Sequence, residues 1–141
     1  MSPLHELPEA LAQSFSSVDY RSHLALLAEV FEDSREIMIG EARYVIEQGD
    51  PVSCEFAIAV ADDWHGNGLG RALLTRLERE AASSGIRRML ANTLYDNKPM
   101  LRLAVRSGYA LKMNREDARL VGLEKRLHVW SPSPTGYRLA A

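Results

Sequence analysis

Apolar positions recur along the chain with two different periods, and the alternation between them predicts the order of elements. Leu7 to Phe15 (LPEALAQSF) has helical spacing, with Pro8 early, where a helix tolerates proline. His23–Phe31, Glu36–Glu47 and Ser53–Val60 are rich in branched and aromatic residues and read as strands. Glu32-Asp33-Ser34 and Gln48-Gly49-Asp50-Pro51 supply turn residues between them, so the three form an antiparallel meander. From Gly68 to Ser84 the period changes: Leu69, Leu73, Leu77 and Ala81 fall four apart on one helical face, with Arg76, Arg79 and Glu80 mostly off it. Gly85 is a natural stop. Ile86–Leu94 reads as a strand, and Asn97–Ser107 as a helix capped by Asn97, with Pro99 in its first turn and Gly108 at its end. Tyr109–Met113 and Leu120–His128 read as a last pair of strands. The prediction is a mixed α/β (α+β) fold: a mostly antiparallel sheet flanked by helices, in one domain over residues 1–141, with an irregular tail at 131–141.

Composition narrows the class without naming a function. The chain has 141 residues, 46% hydrophobic and 26% charged, the profile of a globular domain with a sizeable core. A formal net charge of -2 gives no electrostatic reason to expect nucleic acid or an anionic membrane as partner. Apolar runs are too short to span a bilayer, and Met1 to Glu9 does not read as a secretory leader. Cys54 is the single cysteine, so no intrachain disulfide forms. A cytoplasmic location and no metal are the expectations.

The segment Trp64–Arg71 (WHGNGLGR) carries the most chemical information. A strand runs into a turn holding Gly66, Gly68 and Gly70, and a helix starts at once. The first N–H groups of a helix lack intrahelical partners and sit at the positive end of its dipole. Glycines let that backbone approach an anion closely, so a diphosphate is a natural ligand. A phosphate loop of nucleotide triphosphatases ends Gly-Lys-Ser/Thr, whereas this loop ends Leu69-Gly70-Arg71. The dinucleotide pattern G-x-G-x-x-G, counted from Gly66 and Gly68, would need its third glycine at Arg71. G-x-G-x-G after a meander points instead to coenzyme A, with a tight turn that binds nothing as the alternative.

His65-Gly66-Asn67-Gly68-Leu69-Gly70 resembles the acyl-CoA signature Q/R-x-x-G-x-G/A of the GNAT superfamily, with His65 at the usual Gln or Arg position. Asn97-Lys98-Pro99-Met100-Leu101-Arg102-Leu103, closing in Ser107-Gly108-Tyr109, resembles that family's asparagine-led helix. More narrowly, Val18-Asp19-Tyr20, Gly40 to Val45, Cys54-Glu55-Phe56 and Ala61-Asp62-Asp63-Trp64 resemble segments of bacterial Pat-like protein-lysine acetyltransferases. Against that family the chain opens at what resembles the second helix, so an N-terminally truncated fold with one bare sheet edge is expected. Many members carry a tyrosine as general acid where this chain has Ala104.

The resemblance implies acetyl-CoA as co-substrate and direct attack of a primary amine, protein lysine or small molecule, on the thioester in a ternary complex. An alkyl ammonium titrates near 10, so a base must take its proton. Glu55 is the candidate: it lies within an apolar strand and matches the family's Ala-Glu-Phe, and partial burial would raise its pKa toward working pH. The competing reading places it on the solvated face of the strand. Alternation points Cys54, Phe56, Ile58 and Val60 one way and Glu55, Ala57 and Ala59 the other. The resemblance has the backbone of Ile58, Ala59 and Val60 pairing with pantetheine, one N–H facing the developing oxyanion. The cofactor set is completed by His65, Gly66, Asn67, Gly68, Leu69, Gly70, Arg71 and Asn97. His65 is expected to orient the loop, and Asn97 to reach the cofactor, to cap its helix, or both. Cys54 reads as a buried free thiol in preference to a nucleophile. Arg87, Arg88 and Arg102 are solvated surface or attractors of the 3′-phosphate. A non-catalytic acyl-CoA-binding module and a structural subunit that borrows a partner's strand are the rival functions. A homodimer is expected from the bare edge.

Overall fold

The computed structural model describes residues 16–20 and 23–128. The helix predicted over Leu7–Phe15 and the irregular tail 131–141 lie outside the described residues. The strands are β1 (Ser16–Tyr20), β2 (His23–Glu32), β3 (Arg35–Glu47), β4 (Asp50–Val60), β5 (Arg88–Leu94), β6 (Ala110–Met113) and β7 (Leu120–Arg126); the helices are α1 (Leu69–Ser83) and α2 (Lys98–Arg106). They build one seven-stranded sheet of order β1-β2-β3-β4-β5-β7-β6. Every pairing is antiparallel except β4 with β5. A mixed, mostly antiparallel sheet with helices is therefore what the sequence specifies.

Two hairpins make the meander. In the first, Asp33 and Ser34 occupy a two-residue turn between Glu32 and Arg35, with φ of 50° and 64°. Positive φ at both central positions matches the right-handed twist of the strands, and Asp tolerates it better than most residues. In the second, Gln48 and Gly49 separate the paired Glu47 and Asp50, and Gly49 takes φ 86°. Asp50 and Pro51, expected in the turn, belong to β4. The register there shifts between Ile46 and Glu47, an irregularity that accommodates a proline lacking its N–H.

β1 was not expected. It pairs Ser16 with Leu27 through Tyr20 with His23, so the flank of β2 predicted to be bare is covered over His23–Leu27. The remaining differences are small: α1 begins one residue later than predicted, and β5 and β7 are shorter.

Helix α1 docks as its apolar period requires. Leu69, Leu73, Leu77 and Ala81 are all fully buried, and Leu74 joins them. Each leucine removed from water contributes about 1.5–3 kcal/mol. The helix approaches β3 at Gly40, where an added Cβ would lie 2.8 Å from Leu73 Cδ1. Gly85 and Gly108 follow their helices with φ of 89° and 88°. A partly buried polar knot joins the far end of α1 to β7 and the end of α2. Tyr109 Oη donates to Glu78 Oε2 at 2.7 Å, Lys125 Nζ donates to Glu78 Oε1 at 3.0 Å, and the Tyr109 ring lies 5.4 Å from that of Phe56. Burial, reinforced by the Glu78 carboxylate, pushes the Tyr109 phenol well above its ordinary pKa, so it stays a donor.

Candidate active site

The site begins where two strands part. β4 and β5 pair in parallel only at Ser53↔Arg88, Cys54↔Met89 and Glu55↔Leu90. Beyond that point β4 runs on to Val60, held by β3 alone from Tyr44↔Phe56 to Gly40↔Val60, while β5 runs on paired with β7. Five residues of β4, Phe56 to Val60, therefore have a ladder on one side only. Parallel strands with no partner between them leave a wedge, and backbone hydrogen-bonding groups along it are available to a ligand.

A cavity of about 560 Å³ opens into this wedge, lined by Phe56 to Val60, the glycine loop, Ala91 to Thr93 of β5, and α2. Ile58, Ala59, Val60, His65, Gly66, Gly68, Gly70, Arg71 and Asn97, all singled out in the sequence, are among its walls. Asn67 and Leu69 are not. Leu69 is fully buried in the core, and its N–H is taken by Asn67 Oδ1 at 3.1 Å.

The loop's backbone leaves donors open at the start of α1. Gly66 and Gly68 take φ of 80° and 91°, a left-handed backbone that glycine adopts without strain. Gly68 is the N-cap of α1 and supplies no side-chain cap; its carbonyl accepts from Ala72 N–H at 3.0 Å. The N–H groups of Gly66, Asn67, Gly68, Gly70 and Arg71 have no partner among the described residues. Asn67 Nδ2, also a donor, is buried without a partner. Open donors at the positive end of a fifteen-residue helix fit an anionic diphosphate, which is the test a bound CoA must pass.

His65 Nε2 lies 2.8 Å from the Val60 carbonyl. A carbonyl only accepts, so Nε2 carries the proton, and the bond ties the loop back to the end of β4. Asn97 caps α2: its Oδ1 accepts from Met100 N–H at 3.2 Å while the residue also lines the cavity. The cap and the cavity position coexist.

Glu55 is placed differently from expectation. It stands on the exposed face of β4 with Ala57 and Ala59, and it does not line the cavity. The expected partial burial is absent because this face of the sheet is open among the described residues, with exposed Arg43 and Val45 alongside. Its position along the strand is nonetheless informative: Glu55 is the last β4 residue paired to β5, at the apex of the wedge.

Cys54 points the other way. It is fully buried, its thiol donates to Met89 Sδ at 3.2 Å, and burial together with the nearby Glu47 charge pushes its pKa up to about 12. A thiol held protonated in the core is no nucleophile. Arg88 is engaged away from the cavity, donating from Nε to Ser53 Oγ at 3.1 Å and pairing with Asp50 at 3.6 Å and Glu124 at 3.8 Å. Arg102 does line the cavity, and Arg87 does not. Trp64, Asn92, Thr93 and Arg106 also line it, and none was singled out as a site residue. Arg106 stands one turn beyond Arg102 on α2, a spacing visible in the sequence. Asn92 and Thr93 carried no such signal, because only the parting of β4 from β5 brings them to the cavity wall.

Among the described residues no group of His, Cys, Asp and Glu is placed to hold a metal ion. No helix among them is long and apolar enough to cross a membrane.

Comparison with known proteins agrees with this geometry. The model of the acetyltransferase (GNAT) family matches residues 3–109. Acetyltransferase PA5475 of Pseudomonas aeruginosa is 29% identical over 123 residues, covering 86% of this chain and 64% of that protein. Acetyltransferase Pat of Mycolicibacterium smegmatis is 32% identical over 99 residues, covering 70% of this chain and 29% of that protein. The chain thus spans less than two thirds of either relative's length. Among solved structures, the GNAT domain of S. lividans PAT superposes with a TM-score of 0.68 at 27% identity, over 86% of this chain and 70% of that one. With the family model matching most of its length, the chain belongs to the acetyltransferase (GNAT) family.

Proposed function

We propose that the chain catalyses transfer of an acetyl group from acetyl-CoA to a primary amine, by direct attack in a ternary complex. The observation that carries this reading is the set of unpartnered amides of Gly66, Asn67, Gly68, Gly70 and Arg71, beside a wedge whose β4 edge is unpaired. Acetyl-CoA supplies the activated acyl group as a thioester. The chain's own residues do the rest. Gly66, Gly68, Gly70, Arg71 and the backbone of Asn67 hold the diphosphate, and Asn97 borders it from α2. The free edge of Ile58, Ala59 and Val60 receives an extended arm by strand-like pairing, and an N–H of that edge steadies charge developing on the carbonyl oxygen. Glu55, at the wedge apex, accepts a proton from the incoming ammonium, directly or through one water. Its exposed position serves an acceptor that arrives from the open face of the sheet.

The acceptor is a protein lysine or a small amine; resemblance to proteins named Pat supports lysine. The location is cytoplasmic. The chain forms a homodimer. With β1 on β2, the support for pairing moves to the opposite edge, where Leu111 and Met113 of β6 stand exposed. A single monomeric mass by light scattering at micromolar concentration would contradict it.

A second reading, an acyl-CoA-binding module without turnover, draws support from the absence of any carboxylate among the described residues of the cavity wall. One experiment separates the two. Free thiol is followed while the full chain is incubated with acetyl-CoA and a panel of amines and lysine peptides. The enzymatic reading expects turnover that falls about a hundredfold or more in Glu55→Gln with CoA binding retained. Tight CoA binding without turnover on any acceptor favours the module.

A further inference from the structure

The closed end of the cavity differs chemically from the glycine loop. Phe56 is the first β4 residue beyond the parallel pairs and Ala91 the first of β5, and both line the cavity. Cys54 and Met89, paired and fully buried, lie on the core face, so strand alternation puts Phe56 and Ala91 on that face too. An aromatic ring and a methyl group thus meet where the strands join. The ring is firmly backed. Tyr44 stands directly opposite Phe56 on β3 and is itself buried. The Tyr109 ring lies 5.4 Å from the Phe56 ring at an interplanar angle of 53°, a tilted contact that aromatic pairs favour. Tyr109 is anchored in turn: its Oη donates to Glu78 Oε2 at 2.7 Å, and Lys125 Nζ donates to Glu78 Oε1 at 3.0 Å while sitting 5.6 Å from the centre of the Tyr109 ring. Phe56 cannot swing into the core without displacing these close-packed groups.

The geometry points to Phe56 as the residue that limits acyl length, admitting an acetyl thioester and excluding one longer by two carbons. The inference rests on the cofactor reading above. In that reading the diphosphate sits at the loop beyond Val60, and the arm runs along the free edge from Val60 toward Ile58. Val60 and Phe56 are about 13 Å apart along the extended strand. The thioester therefore arrives with its acyl group directed at the joined end of the strands, where the Phe56 ring closes the way. The small side chain of Ala91 leaves space there for a methyl group. A longer chain has to displace the ring, and the rings behind it resist. An extra methylene against a fixed apolar wall costs about tenfold or more in affinity.

The test is calorimetric titration of the full chain with acetyl-CoA and with butyryl-CoA, read as the ratio of the two affinities so that any change common to both ligands cancels. The native chain is expected to favour acetyl-CoA by about tenfold or more. Phe56→Leu should lower that ratio, and Phe56→Ala should abolish or invert it, because each opens space where the ring stood. A melting curve accompanies each variant. Equal affinity of the native chain for the two ligands overturns the inference and leaves the cofactor reading standing. The native ratio retained in Phe56→Ala, or in Phe56→Leu where the alanine variant does not fold, overturns it as well. Failure of the native chain to bind either ligand sinks the cofactor reading itself.

Discussion

Replacing Gly68 with alanine separates the loop's role as an anion cradle from its role as a turn. Gly68 has φ +91° and ψ 0°, and a Cβ there would meet nothing within 4 Å. The perturbation is therefore one of backbone strain and not of crowding. Holding an L-residue in a left-handed conformation costs about 1–2 kcal/mol, which lowers the melting temperature of a domain this size by about 3–8 °C. Relief comes by rotating the flanking peptides, which re-aims the Gly68 amide and its neighbours. Each amide lost to a charged oxygen removes about 1.5–3 kcal/mol, so CoA should bind tenfold or more weakly. Gly49 provides a matched control. It has φ +86°, equally open surroundings, and a place in the β3–β4 turn outside the cavity wall. Gly49→Ala should lose a similar amount of stability and no CoA affinity. The assay is a thermal melt and a CoA titration of both variants. Native-like CoA affinity in Gly68→Ala, or equal loss in the two variants, would refute the reasoning.

Other outcomes follow from the same geometry. Ser34→Gly, at φ 64° in the first hairpin turn, should raise stability by about 1 kcal/mol, read as a higher urea midpoint; an unchanged midpoint would show that the turn is unstrained. Cys54 should resist a thiol reagent at pH 8 in the native state and react at once in denaturant, since burial holds its pKa at about 12. Because the folded thiol titrates above the unfolded value of 9.0, its contribution to stability is complete below pH 9 and declines as pH rises toward 12. Cys54→Ala should flatten that alkaline decline, as followed by melting temperature against pH.

Much of this fold was legible because its signals are local. The four-residue spacing of Leu69, Leu73, Leu77 and Ala81 needs no knowledge of the sheet they pack on, and Gly85, Asn97 and Gly108 mark helix ends by their own backbone chemistry. The glycine loop was legible for the same reason. β1 was not, since Ser-Ser-Val-Asp-Tyr has little apolar period and its strand character comes from pairing with β2. The wedge was also hidden: a run from Ser53 to Val60 reads as one uniform strand, and nothing in its composition reports that its second partner leaves after Glu55. For that reason Asn92 and Thr93 escaped notice, and Glu55 was credited with a burial that the open face does not supply.

The central claim is that free backbone amides at the start of α1 receive a diphosphate, and amide-resolved NMR of the full chain during a CoA titration tests it most directly. The largest downfield shifts are expected on Gly66, Gly68, Gly70 and Arg71, and Leu69, whose N–H already belongs to Asn67, should move least among the loop residues. Saturable binding with those four resonances unmoved would contradict it.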